Sequence, residues 1–172
     1  MDRGSQDERY ASAVAEYGPA LERLARSYEA DPAERRDLLQ DIHFALWRSF
    51  AGFDGRCSLR TWVYRVAHNT ASSHVSRRKR TAKGMSIEEL EMADDGAGPE
   101  DIVSAQRMLE KLMVMIRSLK PFDAQIMLLY LEDLDAAEIG EIAGLSAGAV
   151  AAKIHRIKTW LAKKFQADGG RG

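Results

Sequence analysis

At 172 residues the chain has room for one ordinary domain or two small ones, and its net charge of −1 announces no nucleic-acid partner by itself. A single cysteine, Cys57, excludes an intramolecular disulfide and suits a reducing cytoplasm, and with His43, His68, His74 and His155 it makes no metal-ligand spacing, so no metal and no cofactor are expected. No apolar run approaches the ~20 residues needed to span a bilayer and the N-terminus has no apolar signal core, so a soluble cytoplasmic protein without direct membrane insertion is expected.

Apolar residues recur at three and four along almost the whole chain, which predicts an all-α protein. Residues Tyr10 to Tyr28 read as one helix or a helix pair broken at Gly18-Pro19. Asp31-Pro32 marks the start of a long helix from about Ala33 to Phe50. Ala51 to Ser58 is a loop with two glycines, and a second long helix runs from Leu59 to about Arg80. Thr81 to Ser104 breaks the pattern with Gly84, Gly96, Gly98 and Pro99 and reads as a flexible acidic linker. Helices then follow over Ala105–Ser118, Phe122–Leu131, Asp135–Ala143 and Ala147 to about Phe165. The expected organisation is a helical bundle over 1–80, a linker over 81–104, a helix-turn-helix domain over 105–166 and a disordered tail over 167–172.

Charge is segregated along this plan. Arg56 to Lys83 holds eight basic residues and no acid, and Ser86 to Asp101 holds seven acids and no base. The acidic run either folds back to mask the basic block or keeps the linker soluble and extended.

On the helix from Ala33, the residues Leu38, Leu39, Ile42, Ala45, Leu46 and Phe50 form the buried arc. Asp37, Gln40, Asp41, Phe44 and Arg48 lie opposite, with Trp47 at the boundary: an aromatic in an acidic, polar rim, as a protein-docking patch would have. On the helix from Leu59, the residues Thr61, Arg65, His68, Asn69, Ser72 and Ser76 share one polar arc opposite Val63, Val66, Ala67 and Ala71. Cation, imidazole, amide and hydroxyl together suit phosphate and base-edge contacts, with Arg60, Arg77, Arg78, Lys79 and Arg80 adding backbone attraction. Trp62 and Tyr64 sit at the edges of the arc, where they either stack on unpaired bases or fill the core.

The stretch AAEIGEIAGLSAGAVAAKIHRIKTWL has the form of a helix-turn-helix, with Gly144 at the turn and Ser146 as N-cap of the second helix. Val150, Ile154, Ile157 and Leu161 are its core arc; Ala149, Ala152, Lys153, Arg156 and Trp160 face away, and Lys158 adds charge. A plain helical hairpin remains the alternative, and the alanine-rich first turn offers bases no hydrogen bonds beyond contact with a thymine methyl.

The stretch DLLQDIHFALWRSFAGFDGRCSLRTWVYRVAHNTASSHVSRRKR resembles the second region of extracytoplasmic-function sigma factors, and LKPFDAQIMLLYLEDLDAAEIGEIAGLSAGAVAAKIHRIKTWL resembles their fourth. The resemblance implies that Asp37, Gln40 and Asp41 dock on core RNA polymerase, beside Phe44 and Trp47. It implies that the loop Phe53 to Ser58, with Phe53 and Arg56, captures a flipped base of the minus-ten element. Arg60 to Asn69 would read and melt that element, and Ser146 to Lys158 would read the minus-thirty-five element. An anti-sigma factor is implied as a further partner. The family usually has Glu where this chain has Asp41, an aromatic at His43, and Thr and a basic residue at Ala149 and Ala151. A sigma-like decoy that sequesters an anti-sigma factor is the alternative function. No nucleophile elbow, phosphate loop or paired catalytic carboxylates appear, so neither catalysis nor a small-molecule substrate is expected.

Overall fold

The computed structural model describes residues 3–82 and 100–169, and every regular element among them is helical. The helices are α1 (Arg3–Tyr28), α2 (Pro32–Ser49), α3 (Leu59–Ala82), α4 (Glu100–Arg117), α5 (Pro121–Leu131), α6 (Ala136–Ala143) and α7 (Ala147–Gly169), with a 3₁₀ turn at Phe50–Gly52.

Of the two readings of Tyr10 to Tyr28, the single helix is the one that forms: α1 runs through Gly18-Pro19 without interruption. Ala13 before the pair and Leu21, Leu24 and Ala25 after it are all buried, so one continuous seam holds both halves in line despite the lost backbone donor. Asp31 caps α2 by accepting from the backbone N–H groups of Ala33 and Glu34, both at 2.9 Å, and Pro32 pre-sets the first turn. Leu38, Ile42, Leu46 and Phe50 of α2 then pack against α1 and against Val63, Ala67 and Ala71 of α3.

The second domain is α4–α7. Pro121 opens α5, whose residues Ala124 to Leu129 are all buried. Asp135 and Glu138 form a capping box at α6: the Glu138 N–H donates to Asp135 at 2.8 Å, and the Asp135 N–H donates to Glu138 Oε2 at 2.9 Å. Gly144 ends α6 in the left-handed region, φ 74°, and Ser146 caps α7 by accepting from the Ala149 N–H at 3.2 Å. Gly140 is the tightest point of this turn, because a Cβ there would lie 2.5 Å from the Leu145 carbonyl oxygen.

The two domains are not beads on a string. One apolar cluster runs from α1, α2 and α3 into Ile126, Leu129, Leu134, Ile139 and Val150 of the second domain. A smaller cluster joins Met115 and Ile116 of α4 to α5 and to Ile157 and Leu161 of α7, with Tyr28 of α1 against its edge. The acidic run Ser86 to Asp101, apart from the start of α4, lies outside the described residues, as do the side chain of Lys79 and residues 170–172; the tail expected over 167–172 is helical over 167–169, where α7 continues past its expected end near Phe165. No described helix is long and apolar enough to cross a membrane.

Candidate functional site

The face of α3 expected to meet DNA is engaged by the second domain. Arg60 Nη1 donates to Glu138 Oε1 at 3.1 Å and Nη2 to the Glu132 carbonyl at 3.1 Å. Arg65 Nη2 donates to the Glu141 carbonyl at 2.7 Å, and Thr61 Oγ1 to the Glu141 carboxylate at 3.4 Å. Glu132 also receives a bidentate pair from Arg23 of α1, both bonds at 2.7 Å, and a bond from the Tyr64 hydroxyl at 3.3 Å. Glu132, Glu138 and Glu141 at the α5–α6 corner thus engage Arg60, Thr61, Tyr64 and Arg65 of α3, partly through carboxylates and partly through the backbone carbonyls of Glu132 and Glu141. Glu138 does so with one carboxylate oxygen while the other caps its own helix.

This corrects the expectation of a single exposed polar arc. Thr61, Tyr64 and His68 are 3%, 3% and 1% exposed. Helix α3 is covered twice, by α1 and α2 over Val63, Ala67 and Ala71, and by α1 and the second domain over Thr61, Tyr64 and His68. Periodicity assigned one core face; tertiary packing supplies two. Asn69 and Arg77 remain exposed and Ser72 half-buried. Arg77 reaches Asp41 at 3.3 Å, and Arg78 pairs with Glu29. Of the two placements left open for Trp62 and Tyr64, both rings take the packed one. Tyr64 stacks on His68, and Trp62 packs 5.1 Å from the Phe53 ring with its Nε1 donating to Ser49 Oγ at 2.9 Å. Phe53 is held against Phe50 and Trp62, with the Arg9 guanidinium 5.9 Å from its ring. Arg56 stays in the open, folded onto Asp54.

Burial sets the ionisation of this face. The Tyr64 hydroxyl is pushed up to about 12, first by burial and then by the neighbouring Glu132 carboxylate. Burial also pushes the His68 imidazole down to about 3, its Nδ1 hydrogen-bonded to the Tyr28 hydroxyl at 2.9 Å.

The outer face of α2 is open. Phe44 is 61% exposed, stacked on Trp47 with ring centroids 6.3 Å apart, and Gln40 and Asp37 are exposed one and two turns away. Trp47 Nε1 donates to Asp7 at 2.8 Å, which fixes the indole beside Phe44. Asp41 is half-buried and turned toward α3, bonded to Arg77 and His74. In the second domain, Ala149, Ala152, Arg156 and Lys158 are exposed along α7, and Ser146 is its cap. Lys153 departs from that face: it is half-buried, paired with Asp123 and 5.7 Å from the Phe122 ring.

Comparison with known proteins matches residues 13–81 to sigma-70 region 2 and residues 109–161 to sigma-70 region 4. The chain is 29% identical to the RNA polymerase sigma factor NccH of Alcaligenes xylosoxydans, over 96% of this chain and 92% of that one. It is 27% identical to the ECF RNA polymerase sigma factor SigW of Bacillus subtilis, over 96% and 93%. The chain belongs to the ECF sigma factors. Its fold matches that of the sigma factor RpoE, solved with the anti-sigma factor NepR from Bartonella quintana, with a TM-score of 0.69 over 92% of this chain and 98% of that one at 19% identity. As a sigma factor it directs transcription initiation and is not an enzyme.

Sequence reasoning missed the acids that close this sigma factor on itself. Glu132, Glu138 and Glu141 look like ordinary solvated residues of short helices, and only their position opposite Arg23, Arg60, Thr61 and Tyr64 gives their carboxylates a role. His68 carries a testable consequence. Folded, it stays neutral to about pH 3; unfolded, it takes up a proton near its ordinary 6.5. Below pH 6.5 the unfolded chain therefore binds the extra proton, and stability falls as pH falls, by roughly 1 kcal/mol from this residue by pH 5.5. Urea unfolding at pH 7.5 and 5.5 should show a smaller acid loss in His68→Gln than in the wild type. Equal losses in the two proteins would remove His68 from the account.

Proposed function

We propose that this sigma factor docks on core RNA polymerase through the outer face of α2, with Asp37, Gln40, Asp41, Phe44 and Trp47. Once the second domain is drawn off α3, the sigma factor reads the minus-ten element with Phe53, Arg56, Arg60, Thr61, Tyr64, Arg65, Asn69 and Ser72, assisted by Arg77, Arg78 and Lys79, with Trp62 and His68 in the packed layer that supports them. The minus-thirty-five element falls to α7, with Ser146, Ala149, Ala152, Lys153, Arg156 and Lys158. Polymerase and promoter place its work in the cytoplasm. An anti-sigma factor as a further partner is supported by the likeness of its fold to RpoE, which was solved with one.

The observation that carries the docking assignment is the Phe44–Trp47 pair. A phenylalanine 61% exposed, braced by a hydrogen-bonded indole and flanked by Asp37 and Gln40, is an apolar centre with a polar rim. Asp37 and Gln40 are both exposed, so replacing them leaves the core intact. The double variant Asp37→Ala/Gln40→Ala should weaken assembly with core enzyme by at least about tenfold, the equivalent of ~1.4 kcal/mol of lost polar contact. Native-gel titration with purified core polymerase measures it, alongside a circular-dichroism check of the fold. Unchanged assembly by the folded double variant sinks this docking surface.

A further inference from the structure

Where the end of α1, the start of α2 and α3 meet, three ligand-bearing side chains converge. Glu29 follows the end of α1, Glu34 lies in the first turn of α2, and His74 lies on α3. One ligand atom from each lies within 4.8 Å of the others. Two of the three are buried: Glu29 is 7% exposed and His74 9%. Arg78 currently satisfies the carboxylates, pairing with Glu29 and approaching Glu34 Oε2 at 3.7 Å.

The histidine is the decisive member. His74 Nε2 is buried without a hydrogen-bond partner and is aimed at the carboxylates, 3.9 Å from Glu34 Oε2. Its other nitrogen, Nδ1, faces Asp41 Oδ2 at 3.4 Å. A proton on Nδ1, donated to Asp41, leaves the Nε2 lone pair free and directed into the cluster. A carboxylate behind the ring, an imidazole nitrogen in front of it and two further carboxylates are the parts of a carboxylate–histidine–metal arrangement. A buried imidazole nitrogen with no partner is costly unless something fills that role.

We propose that Glu29, Glu34 and His74 form a binding site for a divalent transition-metal ion, of which Zn²⁺ is the best match to a one-nitrogen, two-oxygen donor set. Bonds of ~2.0–2.2 Å require the ligand atoms to draw together from their present spacing. Glu34, whose side chain is 41% exposed, has the freedom to make that movement. The ion replaces Arg78 as the positive charge between the two carboxylates. Arg78 is released into the basic run at the end of α3, and the His74–Asp41 bond is fixed from behind.

The test uses the full chain stripped with a chelator and titrated calorimetrically with Zn²⁺. Co²⁺ serves as a spectroscopic probe whose visible ligand-field bands report a low-coordinate site. One ion per chain is expected. Glu34→Gln, at the half-exposed ligand, and His74→Gln, at the buried one, should each weaken binding at least about tenfold, and Asp41→Asn by about 10–100-fold. Arg78→Gln should tighten it, since it removes the competing cation. Circular dichroism verifies that each variant is folded, and Glu34→Gln decides the matter if His74→Gln is not. Absence of stoichiometric binding by the wild type overturns the proposal. So does equal affinity in Glu34→Gln, or binding that is lost only in Cys57→Ser, which would put the ion at Cys57.

Discussion

Gly140→Ala is expected to lower the thermal midpoint by roughly 4–12 °C, while Gly148→Ala, eight residues on, leaves it unchanged or raises it. The two substitutions add the same methyl group in opposite surroundings. At Gly140 the new Cβ would sit 2.5 Å from the carbonyl oxygen of Leu145, a backbone atom that cannot swing aside, and the Ala147 amide nitrogen is 3.6 Å away. The same turn already commits its backbone: Gly144 N–H and Leu145 N–H both donate to the Gly140 carbonyl, at 2.8 and 3.0 Å. Relief therefore means prising α7 off α6, at a cost of about 2–3 kcal/mol typical of overpacking. Gly148 is exposed in the first turn of α7 with nothing within 4 Å, and alanine there gains up to ~1 kcal/mol of helix propensity. Differential scanning calorimetry of the three proteins checks the contrast. A Gly140→Ala protein that melts with the wild type would show that the turn relaxes freely, and that the close approach does not hold the helix-turn-helix angle.

That turn also shows what is legible in a sequence of this kind. Gly144, Ser146 and the Val150–Ile154–Ile157–Leu161 arc are local signals, and the structure realises them as a left-handed C-cap, an N-cap and a buried stripe. Asp31-Pro32 is equally local and equally plain. Gly18-Pro19 is a local signal that long-range packing overrides, because burial on both sides of the pair outweighs one missing hydrogen bond. The second coat over Thr61, Tyr64 and His68 is a different kind of omission. It is made by residues some forty to eighty positions away, in α1 and in the second domain, and no periodicity within α3 announces it. The same holds for Glu29, Glu34 and His74, which three elements assemble across forty-five residues and which no ligand-spacing rule connects. Phe44 was readable because its exposure depends only on which side of α2 it occupies.

Neutralising the acids that hold the closed form should turn the free subunit into a better DNA binder: Glu132→Gln/Glu138→Gln is expected to bind single-stranded minus-ten DNA about tenfold to fiftyfold more tightly than the wild type. While the domains are packed together, Arg60, Thr61, Tyr64 and Arg65 are bonded to the α5–α6 corner, so DNA competes with that corner for the same groups. The apparent affinity is then the intrinsic one multiplied by the fraction of open molecules. Glu132 is the strongest single tie, its carboxylate only 18% exposed while it accepts from Arg23 and Tyr64. Glu138 is about one-third exposed, and its pair with Arg60 is correspondingly weaker. Losing both charges, after allowance for solvent screening, weakens the closed form by about 1.4–2.3 kcal/mol, which sets the range of the expected gain. Glutamine is the right replacement because it keeps the volume and still serves the third position of a capping box, so α6 is not unwound by the change. Removing two negative charges also lessens general repulsion from DNA, and Glu8→Gln/Glu110→Gln supplies the matched control at exposed positions away from the corner. Fluorescence anisotropy gives the affinities, and small-angle scattering should show a larger radius of gyration for the corner variant alone. Equal gains in the two variants would mean that bulk charge, not opening, governs access to α3. A gain confined to the corner variant would mean that the second domain holds α3 shut until a partner draws the two apart.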